Sequence, residues 1–378
     1  MSPPPIRATA RIDLDALRSN LGRVRGEVGE RVGICPVIKA DAYGHGMWHC
    51  GSALAEAGAD RFCVATAEEA VAAREISSDT PVVVLGILTD PELEVALAAG
   101  AEVPAWEESF VDRVEELADR APGPVGIHLK FDSGMGRLGC RDPERIFRMA
   151  DRIAQSDRLA LSGIWTHFAT ADDRTDDFYD LQLERFLAVA DRVRADHPGT
   201  LAHAANSAAL FRDPASHLDL VRPGVALYGM DPFGRDPAEL GLEPVLSLVS
   251  WVGSIREVDR GDSVGYGRRW IAEGPTEVAT VPVGYGDGYR RGLSGRSRVL
   301  IDGRSKPVAG TISMDNVAVD LGPPGVSGVG IGDEVVLVGE SGGERILVEE
   351  LAGMLDTINY EVTCGISGRV PREPVGPG

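Results

Sequence analysis

Val37-Ile38-Lys39-Ala40-Asp41-Ala42-Tyr43-Gly44-His45-Gly46 sets a lysine at the point where a short apolar run ends and glycines begin. The preceding Gly33-Ile34-Cys35-Pro36-Val37-Ile38 reads as a buried strand, and Met47 to Ala57, carrying Trp48, Leu54 and Ala55, reads as a helix. Lys39 therefore stands on a strand-to-loop corner. An ammonium is costly to desolvate, and at its ordinary pKa of ~10.4 a lysine offers little free amine near neutrality. Two readings follow: a solvated corner lysine, or an amine that forms a Schiff base with an aldehyde.

Outward from that corner, residues from Arg7 to about Gly234 alternate short apolar runs with longer amphipathic ones. Ile34 to Ile38, Arg61 to Ala65, Val82 to Gly86, Ala101 to Ala105, Gly126 to Phe131, Leu161 to Thr166, Leu201 to Ala205 and Leu218 to Val221 read as strands. Between them lie helical stretches at Ala67 to Ile76, Pro91 to Ala99, Glu108 to Arg120, Pro143 to Gln155 and Asp177 to Asp196. Eight strand–helix alternations in roughly 230 residues is the count a (β/α)8 barrel demands. An open doubly wound sheet gives a similar string, but no strand is followed by a GxGxxG or GxxxxGK[ST] phosphate loop.

After Gly241 the texture changes to frequent glycines and β-branched runs. Val245 to Glu257, Glu277 to Val283, Ser297 to Ile301, Val317 to Leu321 and Glu334 to Val338 read as strands, and Asp302-Gly303 as a hairpin turn. The expected architecture is an α/β TIM barrel over residues 8–240 and a mostly-β C-terminal domain over 241–378. The proline-rich residues 1–7 are expected to form a disordered tail.

A chain of 378 residues with 43% hydrophobic residues can bury more than one core, and 25% charged with 6% aromatic residues fits a soluble enzyme. The net charge of -20 argues against nucleic acid or an anionic membrane as partner. A phosphate-bearing ligand would need local amides, hydroxyls and arginines. Cys35, Cys50, Cys63, Cys140 and Cys364 lack metal-type spacing and read as reduced thiols of a cytoplasmic protein. No signal-like apolar segment or 18-residue apolar run occurs. The seven histidines include no HxH or HExxH pair, and no metal is expected.

Catalytic groups of a barrel sit at the C-terminal ends of its strands. That rule selects Lys39 after the first strand, Lys130 to Arg137 after the fifth, and Thr166-His167 after the sixth. It also selects Asn206-Ser207 after the seventh and Arg222-Pro223-Gly224-Val225 after the eighth. Loops after the seventh and eighth strands are a recurrent phosphate site in barrels.

The run around Lys39 resembles the pyridoxal 5'-phosphate (PLP) lysine segment of the alanine racemases, a fold-type III family. Several further motifs resemble that family in order: Gly134-Met135-Gly136-Arg137-Leu138-Gly139, Asp262-Ser263-Val264-Gly265-Tyr266-Gly267, Gly310-Thr311-Ile312-Ser313-Met314-Asp315-Asn316 and Ile358-Asn359-Tyr360. The resemblance implies a PLP-dependent isomerase that interconverts L- and D-alanine, supplying D-alanine for peptidoglycan.

The resemblance also assigns roles. Lys39 and Tyr266 would be the two acid/base groups that racemisation needs on opposite faces of Cα. Tyr43, His167, Asn206, Ser207, Gly224, Val225 and Tyr360 would hold the cofactor with Lys39. Arg222, backed by His203, would face the pyridine nitrogen. Being permanently charged, it can only donate there, which leaves the ring a weaker electron sink and favours reprotonation at Cα. Arg137, Met314 and Asp315 would meet the substrate, and Lys130 would be a candidate for carbamylation. His167 and the nearby arginines would help Tyr266 act as a phenolate. Because Tyr266 lies in the second domain, the family's answer is a homodimer with shared sites.

Two departures stand out: Asn359 replaces a proline frequent before the tyrosine, and Gly286 stands where alanine is common, without evident chemical consequence. The alternatives are a broader-range, serine-type racemase, a PLP-binding homeostasis protein built on a barrel alone, and a related basic amino-acid decarboxylase. The last would be expected to set a carboxylate where Arg222 stands.

Overall fold

A computed structural model describes residues 6–376. The chain divides into two units. One comprises residues 17–42 and 47–227, and the other takes the N-terminal segment through Ala16, residues 43–46 and everything from Tyr228 onward.

The strands, in chain order, begin with β1 (Thr9–Asp13), which belongs to the second unit. The eight that follow are β2 (Gly33–Ile34), β3 (Phe62–Val64), β4 (Val82–Val84), β5 (Val103–Ala105), β6 (Val125–Lys130), β7 (Leu159–Trp165), β8 (Leu201–His203) and β9 (Leu220–Val221). All are parallel to their neighbours. β2 pairs with β9, β3 with β4, and β5 through β8 form one run. Bridges between Val37 and Cys63 and between Val83 and Glu102 join these pieces. Backbone bonds from Asp219 to Ala202 and from Arg222 to Ala205 close the ring. Eight parallel strands with intervening helices make the (β/α)8 barrel. Val82, Val83 and Val84 are all fully buried, as expected of strands covered on both faces.

Local chemistry starts the helices where the apolar periodicity predicts them. Residues Ala67–Ile76 begin behind Thr66, whose hydroxyl accepts from the Glu69 amide at 3.2 Å while the Glu69 carboxylate accepts from the Thr66 amide, a reciprocal capping box. Helix Pro143–Ala154 starts on Asp142 with proline in its first turn.

In the second unit, the remaining strands are β10 (Leu246–Trp251), β11 (Ser254–Val258), β12 (Ser263–Val264), β13 (Trp270–Ile271), β14 (Thr276–Val281), β15 (Arg298–Ile301), β16 (Arg304–Pro307), β17 (Val317–Gly322), β18 (Glu334–Ser341), β19 (Glu344–Ile346) and β20 (Arg372–Val375). The main sheet runs β16-β15-β18-β10-β1-β20, with β19 on β18, and a smaller one runs β11-β14-β17. The sequence predicts a single strand over Val245 to Glu257. It breaks at Val252-Gly253, whose amides donate to Asp333 and Thr280, so β10 and β11 enter different sheets. Asp302 and Gly303, at φ 49° and 69°, make the two-residue turn between β15 and β16.

The division between units differs from the sequence reading in two places. β1 is paired to β10 and β20, so residues 9–13 sit in the β unit and not in the barrel. The changeover near the end of the barrel falls at Leu227/Tyr228, ahead of residue 240. Of the expected tail, residues 1–5 lie outside the described residues. The carbonyls of Ile6 and Arg7 accept from the Trp251 indole and the Ser250 hydroxyl. Cys35, Cys50, Cys63 and Cys140 are buried thiols and Cys364 is an exposed one. No helix among the described residues is long and apolar enough to cross a membrane.

Candidate active site

Lys39 ends the first barrel strand's loop, and the backbone that follows it turns the unusual way. Ala40, Asp41, Ala42 and Tyr43 take φ of 52°, 54°, 53° and 55°, four non-glycine residues in the left-handed region. Each such residue costs about 1–2 kcal/mol, so the turn needs external clamps. Glu69, itself in the capping box, accepts from the Ala40 amide at 2.7 Å, and the Asp41 carboxylate accepts from the Met47 amide at 2.7 Å. These bonds hold the Lys39 corner.

Across the barrel, Arg222 is buried and fixed by three acceptors: His203 Nδ1 at 2.9 Å and the carbonyls of Thr166 and Ala204 at 2.8 and 2.9 Å. Trp165 lies beneath the cationic groups. Its ring is 4.0 Å from Lys130 Nζ and 5.0 Å from the Arg222 guanidinium carbon, and it stacks on His203.

The barrel mouth is strongly cationic inside an acidic protein. Burial, then the charges of Arg137 and Arg222, push the Lys130 amine down to about 7, against a smaller opposing pull from Asp132. His167 is driven well below its ordinary value by burial and by Arg222, Arg137, Lys130 and Lys39. It is a neutral imidazole. Burial and the cations around it keep it unprotonated, so a phenolate beside it would meet a neutral ring.

Arg137 lies exposed in the loop after β6. Asp132 shapes that loop by accepting from the amides of Gly134 and Gly136 and from Arg141 Nε. Ser133 joins Thr166 by a hydroxyl contact of 2.8 Å.

After β8 and β9 the Ser207 hydroxyl oxygen accepts from the amides of Gly224 at 2.9 Å and Ala226 at 3.3 Å. With both lone pairs engaged, its one proton can be given to an anion. Asn206 uses its side-chain oxygen to cap the short helix Ser207–Arg212, bonding the Ala209 amide at 2.9 Å. Val225 opens a 3-10 turn beside them. This cradle of amides and a hydroxyl, a buried donor-only guanidinium and a lysine corner fit a phosphorylated aldehyde with a ring nitrogen.

In the second unit, Tyr43 and Tyr360, far apart in sequence, come together with ring centroids 5.8 Å apart, and Tyr228 packs 5.2 Å from Tyr43. Asn359 explains why no proline is needed before Tyr360. Its side-chain amide donates to the Asp231 carbonyl and the Glu349 carboxylate, and its oxygen accepts from the Tyr360 amide. Tyr266 stands between Gly265 and Gly267, both at positive φ, with its carbonyl accepting from the Thr311 hydroxyl. Its side chain is 72% exposed, Met314 is 52% exposed, and an open groove of about 480 Å3 runs beside Tyr266. Asp315 is tied to Arg369, and that bond, with the charges of Arg369 and Arg7, holds its carboxyl below the usual range. A Cβ at Gly286 would lie 2.6 Å from Arg369 Nη1, the movable end of a flexible side chain.

Sequence reasoning missed the partners behind Arg222 beyond His203. Buried His128 follows His203, and Glu102 follows His128. A histidine inside an apolar strand was the available signal.

Comparison with known proteins agrees along the whole chain. Residues 12–232 match the alanine racemase N-terminal domain and residues 245–374 the alanine racemase C-terminal domain. An alanine racemase of Symbiobacterium thermophilum is 39% identical over 364 residues, covering 96% of each chain. One from Geobacillus stearothermophilus is 36% identical, covering 96% of this chain and 92% of the relative. Among solved structures, alanine racemase from Streptomyces coelicolor A3(2) superposes with a TM-score of 0.92 at 35% identity, covering 98% of this chain and 99% of the other. Alanine racemase from Bacillus anthracis, with bound L-Ala-P, gives 0.88 at 33% identity over 99% and 96%. The chain belongs to the alanine racemase family.

Proposed function

We propose that this family member racemises alanine with two acid/base groups, Lys39 and Tyr266, and that the observation carrying the assignment is the buried guanidinium of Arg222. The family is PLP-dependent and the enzyme is an isomerase, the activity its relatives' names carry. When bound, the cofactor supplies an aldehyde for amine capture and a ring that accepts the electron pair left at Cα.

The chain's own residues then divide the work. Lys39 holds the cofactor and, once released from it, takes or returns a proton on one face of Cα. Tyr266 serves the other face. Ser207, Gly224, Val225, Asn206, Tyr43 and Tyr360 would hold the phosphate, and neutral His167 would be a further contact for the cofactor. Arg222 has three of its donors committed to His203 and two carbonyls, and what remains can only donate to an unprotonated ring nitrogen. Withholding that proton keeps negative charge on Cα, where reprotonation completes racemisation. Arg137 takes the substrate carboxylate, with Met314 and Asp315 on the substrate side. The exposure of Tyr266 and Met314 supports a homodimer in which each serves the barrel of the second copy. Lys130, with its amine at about 7, is neutral often enough to add to carbon dioxide, losing one proton to give a carbamate anion that steadies Arg137.

The product role is supply of D-alanine for peptidoglycan, in the cytoplasm. A barrel-only binding protein is disfavoured because the match continues through residues 245–374, and the relatives' names do not favour a broader substrate range. The test is the absorbance of purified protein before and after borohydride, mass mapping of the reduced adduct, and chiral analysis after incubation with L-alanine and L-serine. Adduct on Lys39 and inversion of alanine are expected. Cofactor on another lysine, or bound cofactor without inversion, removes the assignment.

A further inference from the structure

Arginine has donors and no acceptor, so the contact between Arg222 Nη1 and His203 Nδ1 fixes a direction. His203 must carry its proton on Nε2, and that nitrogen is 2.9 Å from His128 Nδ1. His128 in turn carries its proton on Nε2, which is 3.1 Å from the Glu102 carboxylate. Arg61 pairs with the same carboxylate at the far end. Every ring in the row is committed to one tautomer, and both imidazoles are fully buried. The surroundings agree. Burial tends to raise Glu102, but the His128 hydrogen bond and the charge of Arg61 bring it to about 2. His203 lies well below its ordinary value through burial and the charges of Arg222 and Arg61.

The row crosses a strand, and glycines make the crossing possible. His128 is on β6 and His203 on β8, with β7 between them, where Gly163 pairs with both His128 and Leu201. A Cβ at residue 163 would sit 2.4 Å from His128 Nδ1, and one at residue 126 would sit 2.7 Å from Glu102 Cγ. Neither glycine has the positive φ that would demand it for backbone reasons. Both weaken their strands relative to alanine, and the space they leave is filled by the row.

We propose that His128 and Glu102 are positioning residues, which fix the tautomer of His203 and thereby the aim of the Arg222 guanidinium, across a passage cleared by Gly126 and Gly163. The inference rests on the role given to Arg222 above. Glu102→Gln is the sharpest variant, because an amide can donate back to His128 Nε2. That would reverse both imidazoles and set an N–H of His203 against Arg222.

The experiment uses 15N-histidine-labelled protein, with and without PLP, and Glu102→Gln, Gly163→Ala and the conservative Glu102→Asp. In the parent, both residues are expected to show protonated Nε2 and bare Nδ1. Glu102→Gln and Gly163→Ala should shift the His203 nitrogens and lower kcat by about tenfold, the lower end of what losing an imidazole's outer partner does at metal centres, with little change in KM. Pyruvate released per unit time should rise as well, so that its ratio to racemisation turnovers climbs by more than the fall in kcat. Glu102→Asp should restore most of both. Gly163→Ala removes no hydrogen-bonding group, so it carries the test if Glu102→Gln fails to fold, and the parent's tautomers decide the matter without any variant. A proton on His203 Nδ1 in the parent, or folded variants with unmoved nitrogen shifts, overturns the relay. Shifts that move while pyruvate release stays constant overturn instead the role assigned to Arg222.

Discussion

Arg222 in the barrel is 2% exposed and held by a histidine and two carbonyls, whereas Tyr266 in the β unit is 72% exposed and anchored through its own carbonyl. The two regions solve different problems. A group that sets the electronic character of a cofactor has to be immobile, and a buried guanidinium is tolerated only because each committed donor meets an acceptor. On the role proposed for it, Tyr266 has to be displayed, and its backbone turn, flanked by glycines at positive φ, does the displaying. Substitutions in the first region should therefore disturb stability and chemistry together, and those in the second should disturb chemistry alone.

The largest effect is expected at the Lys39 corner. Lys39→Ala should abolish racemisation and the cofactor's lysine-bound absorbance, read by stopped incubations and spectrophotometry; retained inversion of L-alanine would falsify the covalent role. Next, Tyr266→Phe should lower kcat by about 10²–10⁴-fold, the range for loss of a positioned acid/base. Its thermal unfolding should stay within about 0.5 kcal/mol of the parent, since the side chain is exposed. Arg222→Lys should do both kinds of damage. It leaves acceptors of the guanidinium fork unpaired, at about 1–3 kcal/mol each, and a midpoint unchanged in urea would contradict the burial argument.

A smaller effect is set by pH. The Lys130 amine is lowered to about 7 in the folded protein, against ~10.4 when unfolded, so between those values the unfolded chain binds more protons. Stability linked to this residue thus rises with pH from 7 toward 10.4, and the penalty is complete below 7. Lys130→Met should raise the melting temperature at pH 6, with the gain shrinking as pH approaches 10. That dependence belongs to the unmodified amine and is read in buffer stripped of carbon dioxide; with bicarbonate added the gain should disappear, as a carbamate on Lys130 requires. Smallest of all, Gly303→Ala in the β15–β16 turn should cost about 1 kcal/mol by calorimetry and leave activity untouched, because its φ of 69° suits glycine.

The sequence exposed the barrel well because each of its strands is an apolar run and each helix has a local start signal, as Thr66 and Glu69 illustrate. β1 was hidden because its partners, near Leu248 and Arg372, are remote in the chain and no local pattern names them. In the site, Lys39, Arg222 and Ser207 could be selected as strand-end residues. The row through His128 and Glu102 could not, since it depends on which side chains meet over Gly163, a fact of strand register. The neutrality of His167 was equally out of reach, because it arises from burial and from four basic residues that the fold gathers around it.

The turn from Ala40 to Tyr43 is a piece of mirror-image helix written in L-residues. Its handedness is the natural one for D-amino acids, so a semisynthetic chain with D-alanine at residues 40 and 42 should fold more firmly than the native one, by about 1–2 kcal/mol per exchange. The segment beside the lysine would then share the chirality of one of the two alanines on which the enzyme acts.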